Sequence, residues 1–270
     1  KQYLTDLKKS FKEGWIDWME NRGKTSGAYS WGTYGVHPYV LLNHQDTLDD
    51  MFTLAHELGH AMHSYYSDQN QEFINAAYTI FVAEVASTLN ESLVMHHLLE
   101  KTTEPKERMY LLNHHLEQFR GTVFRQTMFA EFEMVVHNKI GQGEPVTADQ
   151  LSEIYYELNK KYFGPEIIVD ELIAMEWARI PHFYRPFYVY KYATGFSAAV
   201  SLSQQILKEG EPAVNRYLQF LGSGGSDYPL NLLKRAGVDM SKPAPIVEAM
   251  KVFEQLLDEL EELSKNEIEA

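Results

Sequence analysis

Residues 47–65 read Thr-Leu-Asp-Asp-Met-Phe-Thr-Leu-Ala-His-Glu-Leu-Gly-His-Ala-Met-His-Ser-Tyr, and this stretch decides the fold class. Its apolar residues recur at helical spacing, and Thr47 with Asp50 has the form of a capping box. The pattern predicts a helix over about residues 48–67. Similar patterns predict a first helix that ends near residue 23, and helices over about residues 74–99, 105–141 and 147–162.

Residues 26–43 carry the one convincing β pattern in the sequence. Glycines alternate there with aromatic residues, and the segment closes on Tyr39-Val-Leu-Leu. Strand-forming residues punctuated by Gly and Pro predict a strand pair. We find no internal repeat and no clear linker, so residues 1–270 are expected to form a single domain. Its fold class is mainly α, with a small β element near residues 26–43.

The composition limits the classes of partner. The 270 residues include 38 Asp and Glu against 24 Lys and Arg, a formal net charge of −14. This net charge disfavours nonspecific attraction to phosphate backbones, so nucleic acid is not expected as a partner. The longest apolar runs fall short of the roughly 18 residues of a membrane span, so no membrane partner is expected either. Because cysteine is absent, any metal must be held by His, Asp or Glu, and we expect a cytoplasmic location.

The motif that carries chemistry is His56-Glu57-Leu58-Gly59-His60, an HExxH pattern inside a predicted helix. Residues four apart share a helical face, so both imidazoles can bind one Zn²⁺ while Glu57 addresses a metal-bound water. His63 lies seven residues beyond His56, about 10 Å along the helix axis, which is too far for the same ion. We therefore assign His63 to the wall of a substrate pocket, with a packed histidine as the alternative.

A catalytic zinc site usually has three protein ligands, so a third ligand is needed. Glu84 lies in a run that is apolar on nearly every face, where an unpaired carboxylate is costly to desolvate. A bound cation would explain it, and pairing with a lysine or arginine is the alternative. Glu91 shares a helical face with Glu84 and is the second candidate.

A third cluster runs from His182 to Tyr192 and is rich in phenols. Hydrolysis of an amide develops negative charge on the carbonyl oxygen, and Tyr and His are suitable donors for it. The alternative is that these aromatic residues are simply part of the core. The cluster contains His182, Tyr184, Tyr188, Tyr190 and Tyr192.

Five strings of this sequence resemble the oligoendopeptidase F group of the thimet-oligopeptidase-like zinc metallopeptidases. They are spread over most of the chain: Ser26-Gly-Ala-Tyr-Ser, Pro38-Tyr-Val-Leu-Leu-Asn43, Thr53-Leu-Ala-His-Glu-Leu-Gly-His-Ala-Met-His63, Phe81-Val-Ala-Glu-Val-Ala-Ser-Thr88, and Ile180-Pro-His-Phe-Tyr184 through Gly195.

The resemblance implies a zincin-like, multi-helix metallopeptidase domain with one Zn²⁺ per chain. It implies that His56, His60 and Glu84 are zinc ligands and that Glu57 is the general base. It also implies that the segment headed by His182 stabilises the oxyanion.

Within that segment we favour Tyr190 as the partner of His182. Tyr184, Tyr188 and Tyr192 remain candidates and are otherwise assigned to substrate binding.

Members of the group also carry a large helical region before the part seen here, which restricts substrates to short peptides. The chain is therefore expected to be the C-terminal part of a longer enzyme. Its expected partners are short peptides and the N-terminal region of the same enzyme.

The sequence supports a zinc-dependent endopeptidase, in which metal-bound water activated by Glu57 attacks a peptide carbonyl. The strand that ends at Asn43 could pair with an extended peptide. One rival is a di-iron carboxylate bundle, which needs two Glu-x-x-His pairs. Glu57 with His60 is the only such pair in the sequence, which argues against this rival. The other rival is a non-catalytic peptide-binding or scaffold fragment that lacks the region needed for turnover.

Overall fold

The computed structural model describes the backbone of residues 1–269 and the side chains of residues 1–266. The chain forms two compact units. Unit 1 contains Lys1–Leu116 and the chain from Gly195 onward, and unit 2 contains Glu117–Thr194. The expectation of one catalytic domain stays a prediction.

The described residues form eleven α-helices, which confirms the mainly α fold class. The helices are α1 Gln2–Ser10, α2 Leu48–Asn70, α3 Phe73–Ala76, α4 Ile80–Lys101, α5 Pro105–Phe119, α6 Arg125–Gly141, α7 Ala148–Phe163, α8 Tyr190–Glu209, α9 Glu211–Leu221, α10 Pro229–Ala236 and α11 Ala244–Glu269. A π-helical turn, Arg120–Phe124, joins α5 to α6, and two 3₁₀ segments, Glu171–Arg179 and Pro181–Tyr184, precede α8.

A three-stranded sheet lies in unit 1, and this confirms the predicted β element. Its strands are β1 Ile16–Met19, β2 Tyr29–Trp31 and β3 Tyr39–His44, in the order β1-β3-β2. Strand β1 runs parallel to β3, and β2 runs antiparallel to it. The backbone of Val40 is therefore paired on both sides, so the predicted pairing of this strand with an extended peptide is wrong at that position. The outer strands β1 and β2 carry the open edges.

The first helix is shorter than the sequence predicted. It ends at Ser10, and Gly14 has a φ of +76°, a conformation that glycine adopts without the cost that other residues incur. Trp15 is 1% exposed and its ring stacks on His37. The predicted helix to about residue 23 is wrong because long-range pairing with β3 recruits residues 16–19 into the sheet.

Of the other four predicted helices, two are continuous, as α2 and α7, and two are interrupted. Helix α2 begins where predicted, with Thr47 and Asp50 forming the capping box. The predicted helix over residues 74–99 is divided into α3 and α4, and the one over 105–141 is interrupted by the π turn.

Each unit has its own apolar core. In unit 1, α4, α8, α9 and α10 contribute a cluster that includes Val85, Leu89, Leu202, Leu221 and Leu233. In unit 2, side chains from α6, α7 and the segment before α8 form a second cluster. In the described part of the chain, no helix combines the length and the apolar character that crossing a bilayer requires. The cytoplasmic location stays a prediction.

Candidate metal centre

The site begins with a close crossing of α2 and α4. A Cβ atom at Gly59 would lie 2.5 Å from the Cα of Ser87 and 2.6 Å from the carbonyl oxygen of Ala86, so only glycine allows this approach. Helix α8 also packs closely, because a Cβ at Gly195 would lie 3.2 Å from the Cβ of Glu84. The crossing brings the HExxH face of α2 opposite Glu84 on α4.

Three side chains converge at the crossing. The ligand atoms of His56, His60 and Glu84 all lie within 4.8 Å of one another. Glu84 Oε2 lies 3.3 Å from His56 Nε2 and 3.6 Å from His60 Nε2, and the two imidazole rings are nearly perpendicular. Two imidazole nitrogens and one carboxylate oxygen are the donor set of a catalytic zinc site, so these residues fit the ion that the sequence implies.

The charges of this cluster are strongly coupled. Burial lowers the pKa of His60 to about 4, so its ring is neutral and offers a lone pair at neutral pH. Burial also acts to lower the pKa of His56, but Glu84 and Glu91 outweigh it and raise that pKa to about 10. Burial opposes ionisation of Glu84, and His56 and His60 nevertheless lower its pKa to about 2.

Glu91 lies on the opposite side of the His56 ring from Glu84. Its Oε1 is 2.6 Å from His56 Nδ1, whereas Glu84 faces Nε2. A carboxylate on the second ring nitrogen sets the orientation of a ligating histidine. Glu91 therefore lies behind the His56 ring rather than among the three converging groups.

The side chain of Glu57, on α2, is almost fully buried. It is 7% exposed, and the backbone N–H of Ser30 in β2 lies near its carboxylate and acts to lower its pKa. Its Oε2 has no hydrogen-bond partner among the described residues. Burial, with smaller contributions from Glu84 and Glu91, raises the pKa of Glu57 to about 7. A buried carboxylate with an oxygen that has no partner among the described residues is suited to accept and return a proton.

His63 has a packed environment. It is 1% exposed, and its ring stacks on Tyr78 with centroids 3.7 Å apart and an angle of 3°. Phe220 covers it at 5.3 Å, and burial lowers its pKa to about 3. These contacts favour the packed-histidine alternative over the assignment of His63 to substrate binding.

The predicted oxyanion segment lies in unit 2, where His182 contacts two tyrosines. Its ring centroid is 5.7 Å from that of Tyr188 and 6.0 Å from that of Tyr192, and the two tyrosine rings are 5.7 Å apart. Tyr184 is 85% exposed, and the ammonium of Lys191 lies over the ring of Tyr190 at 5.8 Å. The roles of His182, Tyr190 and the other tyrosines remain predictions.

Sequence reasoning missed three features of the site. It did not identify Ser30 as a neighbour of Glu57, because no local pattern predicts a backbone contact between a strand and a distant helix. It placed Glu91 among possible ligands because both glutamates share a face. It also did not predict the crossing of α2 and α4. Gly59 was the signal for that crossing, since a glycine inside a helix commonly marks a close approach.

Known proteins share both the sequence and the fold of this chain. Oligopeptidase PepF of Bacillus subtilis is 55% identical over 262 residues, which are 97% of this chain and 39% of that protein. The plasmid-encoded oligoendopeptidase F of Lactococcus lactis subsp. cremoris is 47% identical over 97% of this chain and 44% of its own length. The crystal structure of oligoendopeptidase-F from Enterococcus faecium superposes with a TM-score of 0.73 at 49% identity, over 81% of this chain and 40% of that one.

The chain thus spans about two fifths of the length of the curated relatives it matches. The model of peptidase family M3 matches residues 3–252, a range that includes both crossing helices and the whole of unit 2. Because the family model matches most of the chain and these relatives are about half identical to it, the chain belongs to peptidase family M3.

Proposed function

We propose that the protein is a zinc-dependent endopeptidase that hydrolyses short oligopeptides. The observation that carries the proposal is the convergence of His56, His60 and Glu84 beside a buried carboxylate, Glu57, that has a free oxygen. These three residues would hold one Zn²⁺. When bound there, zinc lowers the pKa of a water molecule and polarises a peptide carbonyl.

Glu57 is the proposed general base. Its Oε2 has no partner among the described residues, so it can accept a proton from the attacking water and donate one to the leaving amine. The reaction forms no covalent bond between this chain and the substrate.

We assign stabilisation of the oxyanion to His182 with Tyr190, as the family resemblance implies. Tyr188 and Tyr192 are supported as alternatives because their rings contact His182. A neutral or cationic donor held in place lowers the barrier, since it interacts more strongly with the transition state than with the substrate.

The proposed partners follow from the family. Oligopeptidase relatives point to short peptides as substrates. Because those relatives are more than twice as long as this chain, we also propose that an N-terminal region of the same enzyme completes the protein. The proposed location is the cytoplasm.

The test is Glu57→Gln, which keeps the size of the side chain and removes the base. We expect turnover of a quenched peptide to fall by about 10²–10⁴-fold. Elemental analysis should still find one zinc per chain, because Glu57 is not a ligand. Glu100→Gln, an exposed substitution on α4, is the matched control and should leave turnover unchanged. Full turnover in Glu57→Gln would contradict the assignment.

The partial coverage of the relatives favours one alternative, a non-catalytic peptide-binding fragment. Peptide affinity and turnover measured on the same zinc-loaded sample separate the two functions. Binding without hydrolysis, in a sample with full zinc content, would favour the alternative.

A further inference from the structure

A strained residue precedes the tyrosine run of unit 2. Phe187 has a φ of +56°, and Asp46 is the other described non-glycine residue with positive φ. Aspartate tolerates this left-handed region, but a bulky aromatic residue rarely adopts it. The ring of Phe187 is about half exposed, so burial of the side chain does not account for the conformation. Some other interaction must hold it.

A buried carboxylate supplies that interaction. Glu133 on α6 is 4% exposed, and its Oε1 accepts a hydrogen bond of 2.9 Å from the backbone N–H of Phe187. Its Oε2 has no hydrogen-bond partner in the described part of the chain. A hydrogen bond to a buried acceptor is strong because no water competes for its donor or its acceptor.

The next turn of α6 holds the side chain of the same residue. His137 lies four positions after Glu133 and therefore on the same helical face. Its ring centroid is 4.8 Å from that of Phe187. Helix α6 thus contacts both the backbone and the ring of Phe187.

The conformation of Phe187 decides where the following residues go. Tyr188 comes directly after it and stacks on His182, and Tyr192 contacts both of these rings. A return of Phe187 to an extended conformation would redirect the backbone at the point where Tyr188 leaves it. The three rings would then lose their mutual arrangement.

We infer that Glu133 is a positioning residue, which holds Phe187 in the left-handed conformation and thereby arranges His182, Tyr188 and Tyr192. The catalytic part of this inference rests on the proposed function, in which the segment headed by His182 supplies oxyanion donors. Glu133 acts through these residues.

Two substitutions of nearly equal size isolate the hydrogen bond. Glu133→Gln retains an oxygen acceptor, whereas Glu133→Met removes it and leaves an apolar side chain that suits a buried helical position. Glu153→Gln, exposed on α7, is the control. The full chain is used throughout, and thermal unfolding and zinc content verify that each variant is folded.

The first measurement needs no activity. In Glu133→Met we expect amide hydrogen exchange over residues 185–192 to accelerate about tenfold, the effect of losing one such hydrogen bond. The NMR signal of the His182 ring should move because its tyrosine neighbours move. Glu133→Gln and the control should match the wild type in both measurements. A Met variant with wild-type exchange and an unmoved His182 signal would overturn the inference.

The second measurement is the split between kcat and KM. We expect Glu133→Met to lower kcat by about 10–100-fold, with KM changed less than about threefold, because the donors act on the transition state. Glu133→Gln should keep kcat at the wild-type value, because its amide oxygen can still accept the hydrogen bond. Unchanged kcat despite a shifted His182 signal would refute the positioning role. A wild-type chain without turnover would count against the proposed function, while exchange and NMR would still decide whether Glu133 arranges the rings.

Discussion

At the scale of single residues, His56 is the centre of the site. Its two ring nitrogens face two different carboxylates, Glu84 at 3.3 Å and Glu91 at 2.6 Å. Glu84 also approaches His60, at 3.6 Å. One nitrogen is therefore available to a metal and the other is held by Glu91, so the two glutamates have separate roles although they share a helical face.

Substitution of Glu84 should remove a ligand. We expect Glu84→Ala to lose zinc or to bind it far more weakly, because two imidazoles alone leave the ion without its third protein ligand. Zinc per chain, measured by elemental analysis after dialysis, gives the result. If zinc content stays at that of the wild type, the ligand is another residue, and Glu91 would be examined first.

Substitution of Glu91 should weaken binding without removing a ligand. Glu91→Gln keeps a group that can accept from Nδ1 but loses the charge, and we expect zinc affinity to fall by about 10–100-fold. Competition with a chromophoric chelator measures the affinity, and Glu100→Gln serves as the control. An affinity equal to that of the wild type would show that this carboxylate does not orient His56.

At the scale of elements, the site depends on how closely α2 and α4 approach. Alanine is normally preferred to glycine inside a helix by about 1 kcal/mol. At Gly59 the preference should be reversed, because the added Cβ meets backbone atoms of α4 at less than 3 Å. Backbone atoms cannot rotate out of the way as a flexible side chain does, so the helices must separate.

Gly59→Ala tests this crossing. We expect the free energy of unfolding to fall by about 1–3 kcal/mol through overpacking. Zinc affinity should fall as well, since Glu84 moves away from the histidines. Gly141→Ala, at the end of α6 where a Cβ meets open space, should be neutral or slightly stabilising. Denaturant unfolding compares the two, and equal stabilities would contradict the close approach.

At the scale of the whole molecule, the proposed ligands come from two helices of unit 1. An ion that binds this arrangement and not the unfolded chain stabilises the fold, by about 4 kcal/mol when its free concentration is a thousand times Kd. The stabilisation belongs to unit 1, because all three converging groups lie there.

Zinc should therefore raise the Tm of the chain relative to a sample treated with a chelator. The increase should be absent in Glu84→Ala and retained in Glu57→Gln, since only the former removes a ligand. Differential scanning calorimetry, repeated at several zinc concentrations, checks both expectations. The same Tm with and without zinc would argue that the ion does not bridge α2 and α4.

The sequence alone determined the features that depend on local spacing. Apolar residues at helical intervals predicted α2, and the four-residue interval placed His56 and His60 on one face of it. The cost of burying a carboxylate singled out Glu84 before any contact was known. These inferences succeeded because helical geometry relates residues that are close in the chain.

Only the tertiary structure decided the features that depend on distant partners. Residues 16–19 form a strand because β3, more than twenty residues later, pairs with them. Glu91 faces the far nitrogen of His56 because two helices cross at Gly59, and His182 contacts Tyr188 and Tyr192 because the chain turns at Phe187. Periodicity shows which residues share a face, but it does not show what that face meets, because that partner is supplied by packing between segments far apart in the sequence.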